Sequence, residues 1–212
     1  MIFKMLRKYG VVPVVAVNSP DEGLRLCEAL CSAGLPVAEI TFRTTAAAAT
    51  IRAAASRFPE MVLGAGTVLT AEHVRCAVDA GARFAVAPGC SPAVVEAARD
   101  AGLPFAPGVC TPSDIERALS LGVTTLKFFP AEAAGGVTML KALIGPYAHL
   151  GLEFCPTGGI DESNMGTYLA LPEVAVVGGT WIAKRELMAA GQWSVVAEVA
   201  ARALAKAKTA RG

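Results

Sequence analysis

Short apolar runs rich in β-branched residues recur along the chain at roughly 20–25-residue intervals, the spacing of a strand–helix unit. Eight runs read as strands, at 11–17, 37–42, 62–67, 84–87, 105–109, 125–128, 152–156 and 174–178. Several are apolar at consecutive positions, the pattern of a parallel sheet covered on both faces. Between them lie Ala-rich stretches with helical punctuation, at 20–33, 45–57, 71–80, 92–100, 112–121, 136–144 and 163–169, and a last helix reaching about residue 206. Ser19-Pro20, Ser91-Pro92 and Thr111-Pro112 each set a capping hydroxyl before a proline suited to a first helical turn. Gly34, Gly81, Gly102 and Gly122 each stand where a helix must stop before the next strand.

Eight strand–helix units in 212 residues predict a (β/α)8 TIM barrel, preceded by a short N-terminal helix and forming one domain over 1–212. An open doubly wound sheet is the alternative. It would want a glycine-rich turn after the first strand, where the chain reads Val17-Asn18-Ser19-Pro20. The tail from residue 205 is expected to fray.

Composition narrows the function classes. The chain is 54% apolar and 17% charged, with a net charge of +1, too apolar for disorder. Interspersed charges argue against nucleic-acid or membrane-surface partners. No apolar run is long enough to cross a bilayer, and Met1 to Lys8 do not read as a signal peptide. The six cysteines form no CxxC pair. They read as small hydrophobes in a reducing, cytoplasmic compartment.

In a barrel, chemistry gathers at the carboxyl ends of the strands, so polar residues there carry the most information. Lys127 lies inside the sixth run, Thr124-Thr125-Leu126-Lys127-Phe128-Phe129-Pro130. If Leu126 and Phe128 face the helices, Lys127 points inward. A charged ammonium there is costly unless paired, while a neutral amine attacks carbonyls to give a Schiff base; the alternative is a structural lysine in a buried ion pair. Glu39, in Val37-Ala38-Glu39-Ile40-Thr41-Phe42, is a second inward group. It is either a proton carrier beside the lysine or its passive counter-ion. Arg43 follows that strand and suits a substrate carboxylate, or is a solvated loop arginine. Thr67 ends the third strand, where it can bond the same carboxylate or simply shape a turn. Two glycine pairs, in Pro156-Thr157-Gly158-Gly159 and Val177-Gly178-Gly179-Thr180, stand after strands seven and eight. Those two loops often bind phosphate in barrels, and tight turns are the alternative reading. The two histidines, His73 and His149, are far from any strand mouth. No histidine cluster of the kind a zinc-dependent aldolase uses is evident.

With these residues assembled, the chain resembles the 2-keto-3-deoxy-6-phosphogluconate (KDPG) / 4-hydroxy-2-oxoglutarate (KHG) aldolase family. The resemblance runs from Val11 to about Gly191. It is carried above all by Glu39-Ile40-Thr41-Phe42-Arg43-Thr44, Ala87-Pro88-Gly89, Lys127-Phe128-Phe129-Pro130-Ala131-Glu132 and Phe154-Cys155-Pro156-Thr157-Gly158-Gly159. It implies a class I (Schiff-base) aldolase, a lyase working without metal or other cofactor, usually as a homotrimer. By residue, it implies Lys127 as nucleophile and Glu39 as general acid/base. Arg43 and Thr67 would hold the pyruvate carboxylate, with Pro88 and Phe129 also lining the substrate. Thr157 would lie near the aldehyde end, and Gly158, Gly159, Gly178, Gly179 and Thr180 near the phosphate. The chain departs from some relatives in reading Ala16-Val17-Asn18 at the end of the first strand, where they carry an arginine, and in having Thr180 where serine is frequent. A non-catalytic phosphosugar-binding barrel is the expectation from outside the enzymes.

Overall fold

The apolar runs fold into parallel strands, each returned to the next by a helix. The computed structural model describes residues 2–211. The strands are β1 (Val11–Val15), β2 (Val37–Thr41), β3 (Val62–Gly66), β4 (Phe84–Val86), β5 (Phe105–Ala106), β6 (Gly108–Val109), β7 (Thr125–Phe128), β8 (Glu153–Phe154) and β9 (Val177–Gly179). The helices are α1 (Ile2–Leu6), α2 (Pro20–Ser32), α3 (Ala47–Arg57), α4 (Ala71–Asp79), α5 (Pro92–Asp100), α6 (Pro112–Ser120), α7 (Gly136–Tyr147), α8 (Met165–Leu169), α9 (Arg185–Ala189) and α10 (Trp193–Thr209).

The result is an α/β fold with a curled parallel sheet. Six strands run in the order β5-β4-β3-β2-β1-β9, and a second sheet holds β6-β7-β8. Single parallel bridges, Phe154 to Val174 and Thr157 to Gly178, link the β8 segment to the β9 segment. Every residue of β1, β2, β3 and β4 is buried, as expected when helices cover the outside of a parallel sheet; Glu39 and Thr41 of β2 are the polar exceptions.

The hydrogen-bonded strands differ from the expected eightfold pattern in two places. The fifth run is divided at Pro107, which has no N–H to continue a ladder. Its halves, β5 and β6, join different sheets, although the Pro107 carbonyl still accepts the Lys127 backbone N–H at 2.8 Å. The eighth run begins its ladder only at Val177, and takes in Gly178 and Gly179, which pair with Val12 and Pro13 of β1.

Helix ends follow their signals closely. The Ser19 and Thr111 side chains accept from the backbone N–H three residues on, and Thr111 with Asp114 forms a complete capping box. Ser91 makes no such bond. Gly34, Gly81, Gly102 and Gly122 all have positive φ. At the C-terminus one expected helix is two, α9 and α10, separated at Gly191, which also has positive φ. The tail does not fray where expected. Helix α10 continues to Thr209, and Arg211 donates to the carbonyls of Arg7, Val174 and Ala175; Gly212 lies outside the described residues.

Helix α1 seals the amino ends of the strands. Phe3 and Leu6 are buried, and Phe3 meets Phe84, the first residue of β4, edge to face at 5.6 Å.

Candidate active site

The inner face of the strands closes around a cavity of about 20 Å³. Its wall contains Phe84 and Val86, Cys155 and Thr157, and Val176 and Gly178. Each pair is two residues apart, the period that places alternate side chains on one face. Glu39 of β2 and Lys127 of β7 complete the polar part of the wall.

Lys127 Nζ donates to Glu39 Oε1 at 3.1 Å and approaches Oε2 at 3.5 Å. Lys127 is 6% exposed and Glu39 4%. A buried pair of this kind rarely adds stability, since a well-packed apolar pair is often as good or better by ~1–4 kcal/mol. What the pair does supply is an amine held against a proton acceptor in a nearly dry site. The local backbone is shaped around it. A Cβ on Gly66 would stand 2.2 Å from Glu39 Oε1, so glycine at 66 makes room for the carboxylate. The Phe129 ring lies beside the amine, its centroid 5.8 Å from Nζ.

The other expected residues divide into two groups. Thr157 is buried, and its Oγ1 sits where a side chain on Gly178 would be, at 2.3 Å from that hypothetical Cβ. Gly158 lies against Phe129 and Pro130, and Gly159 against Glu132. Gly179 is covered by the Trp181 indole. Glycines 178 and 179 thus belong to strand β9, and close packing by Thr157 and Trp181 explains both. Arg43, Thr67, Pro88 and Thr180 stand at strand ends around the mouth, and none lines the cavity holding the pair.

Arg43 is anchored through a residue that received no role from the sequence. Its Nε donates to Thr41 Oγ1 at 3.2 Å, and that hydroxyl donates to the Val15 carbonyl at 3.1 Å. The signal was available: Thr41 is the next inward position after Glu39. Thr67 has φ +56°, the left-handed region that side-chain-bearing residues seldom occupy, directly after β3. Such backbone outliers tend to cluster at ligand-binding turns. Cys155 was also missed. It shares the cavity with Lys127, and burial pushes its thiol up to about 12, against the opposing influence of Lys127. It is therefore a protonated wall residue at neutral pH. Neither His73 nor His149 lines the cavity. Among the described residues, no three or more His, Cys, Asp or Glu side chains gather to hold a metal.

The family model described as KDPG and KHG aldolase matches residues 2–199. The chain belongs to the KDPG/KHG aldolase family. It is 46% identical over 195 residues to a 2-dehydro-3-deoxy-phosphogluconate aldolase of Haemophilus influenzae, covering 92% of this chain and 91% of that one. Among solved structures it resembles the KDPG aldolase of Legionella pneumophila, in which pyruvate was captured at low pH as a covalent carbinolamine. That match has TM-score 0.89 and 38% identity, covering 94% and 96% of the two chains. The Zymomonas mobilis KDPG aldolase with 3-phosphoglycerate is also similar, at TM-score 0.86 and 33% identity over 96% and 95%. Family membership and the buried amine–carboxylate pair point to the same chemistry from separate directions.

Proposed function

We propose that this family member is a class I aldolase that cleaves 2-dehydro-3-deoxy-6-phosphogluconate to pyruvate and glyceraldehyde 3-phosphate. It also takes 4-hydroxy-2-oxoglutarate, giving pyruvate and glyoxylate. The observation that carries the reading is the buried Lys127–Glu39 contact at 3.1 Å.

The chemistry follows from that contact. Glu39 accepts a proton from Lys127, and the freed amine adds to the C2 ketone. Glu39 returns a proton to the carbinolamine oxygen, water leaves, and an iminium forms. The cavity of about 20 Å³ has room for about one water to relay these protons. Glu39, directly or through that water, then removes the C4 hydroxyl proton. The C3–C4 bond breaks, its electron pair passes into a C2–C3 enamine, and C4 departs as the aldehyde. Protonation at C3 and addition of water release pyruvate and regenerate the amine.

Binding is assigned outward from this centre. Arg43, fixed through Nε to Thr41, turns the paired edge of its guanidinium to the pyruvate carboxylate, with Thr67 beside it. Pro88 and Phe129 flank the keto acid, and Thr157 meets the aldehyde end. Gly158, Gly159 and Thr180 form the phosphate end, where bare backbone lets an anion approach N–H groups, and Gly178 and Gly179 shape β9 beside it.

The same reading takes the whole chain as one domain and its sheets as one closed (β/α)8 barrel. Its support is a single cavity lined from both sheets and the two bridges between the β8 and β9 segments. A homotrimer in the cytoplasm, with small-molecule substrates and no nucleic-acid or membrane partner, goes with it by resemblance; sedimentation as a monomer would contradict the trimer. Among the described residues no helix is long and apolar enough to cross a membrane.

The test is a comparison of kcat/KM for the two substrates, with Lys127→Ala alongside. Wild type is expected to cleave both and to favour the phosphorylated one. The variant is expected to lose turnover by at least about 10³-fold, as when a covalent nucleophile is removed. Near wild-type turnover in Lys127→Ala would remove Lys127 as nucleophile. A folded wild type that cleaves neither substrate would leave the silent sugar-phosphate binder as the better reading.

A further inference from the structure

One buried hydroxyl outside the reacting centre is tied to the glycine loop. Tyr168 of α8 is among the largest fully buried side chains, and its hydroxyl donates to the carboxylate of Glu132. Glu132 is itself solvent-exposed, so this bond does not exist to neutralise a stranded charge. Burial, and then the Glu132 carboxylate, push the Tyr168 phenol well above its ordinary value; it remains a donor at any working pH.

Glu132 stands five residues beyond Lys127, and its backbone and side chain grip the same segment. The Ala131 N–H donates to the Thr157 carbonyl at 2.8 Å and the Glu132 N–H to the Gly158 carbonyl at 3.0 Å. The Glu132 Cβ would be 2.6 Å from a side chain added at Gly159. From the far side, Asn164 Nδ2 donates to the Gly159 carbonyl at 3.2 Å, just ahead of α8. Thr157, Gly158 and Gly159 are therefore clamped between the segment that follows β7 and the helix that carries Tyr168. The Tyr168–Glu132 bond links those two jaws directly, side chain to side chain.

We infer that Glu132 and Tyr168 are a positioning pair that sets Gly158 and Gly159 for the distal phosphate of the long substrate. The inference rests on the proposed function. Neither residue touches the keto acid or the amine. Their loss loosens the phosphate end while leaving Schiff-base chemistry intact. A merely structural role would instead lower activity toward every substrate alike.

The experiment is steady-state kinetics of Tyr168→Phe and Glu132→Gln with both the phosphorylated substrate and 4-hydroxy-2-oxoglutarate. Inorganic phosphate serves as a competitive inhibitor against the former. Tyr168→Phe keeps the ring and removes only the bond. Its KM for the phosphorylated substrate should rise about three- to tenfold, the scale of losing one ordinary net hydrogen bond. Its kcat should stay within about twofold, as expected when only ground-state and transition-state binding are lost together. The inhibition constant for phosphate should rise in parallel, and kinetics with 4-hydroxy-2-oxoglutarate should not move. Glu132→Gln keeps an acceptor for the phenol and should fall between wild type and Tyr168→Phe. Equal losses on both substrates, or an unchanged KM for the phosphorylated one, would overturn the inference. If wild type itself failed to cleave the phosphorylated substrate, the proposed function would fall instead, and the two failures are distinct.

Discussion

Lys127 and Glu39 lie 88 positions apart in sequence and 3.1 Å apart in space. Both were legible in the sequence, because an ionisable side chain on the inward period of an apolar strand is costly unless it has a partner there. The fit around them was less legible. Nothing in Gly64-Ala65-Gly66-Thr67 shows that residue 66 must be glycine to admit the Glu39 carboxylate, since the two meet only across β2 and β3. Gly66→Ala places a methyl group 2.2 Å from Glu39 Oε1, so Glu39 must turn away from Lys127. The expected result is a fall in kcat of about 10²-fold or more, the scale of a displaced general acid/base, with a folded protein by circular dichroism. Wild-type kcat in Gly66→Ala would show that the observed position of Glu39 is not needed. Arg43 illustrates the same limit. Its place at a strand mouth was readable, but its anchor through Thr41 to the Val15 carbonyl depends on a neighbouring strand.

Among the elements, helix caps followed local sequence most faithfully, because capping is decided within four residues. The capping box of α6 carries its own test. Burial works to raise the Asp114 carboxyl, but the Thr111 hydroxyl and the Cys110 and Thr111 N–H groups outweigh it, and the value falls below the ordinary 3.8. A carboxyl depressed in the folded state stabilises it at pH values above 3.8. That contribution is lost as pH falls through and below that value. Thr111→Ala should cost about 1 kcal/mol of unfolding free energy at neutral pH, read from denaturant midpoints. Its deficit should shrink as pH falls below 3.8 and through the depressed folded-state value, where the carboxyl becomes protonated in both proteins. A deficit unchanged by pH would remove Asp114 from the cap. Strands followed sequence less well. Pro107 splits the fifth run because a ladder needs an N–H there, a signal that a proline inside a strand already carries. Gly179, beyond the expected end of the eighth run, is a strand residue with Gly178, and what demands glycine at both is the space taken by Thr157 and Trp181.

For the molecule as a whole, the local pattern foretold a parallel α/β fold. It did not foretell the closures. Helix α1 packs Phe3 and Leu6 against the inner face of the strands, and Arg211 fastens the end of α10 to Arg7, Val174 and Ala175. These contacts join the two ends of the sequence, where periodicity carries no information. The curl of the sheet is what turns β2 and β7 toward each other, and under the proposed function this brings together a working Schiff-base site. Its most direct test is reductive trapping: the folded protein with excess pyruvate and borohydride, followed by intact-mass and peptide analysis. One reduced pyruvate adduct per chain is expected, on Lys127, and none without pyruvate. An adduct on another lysine, or no adduct on the folded protein, would contradict that claim.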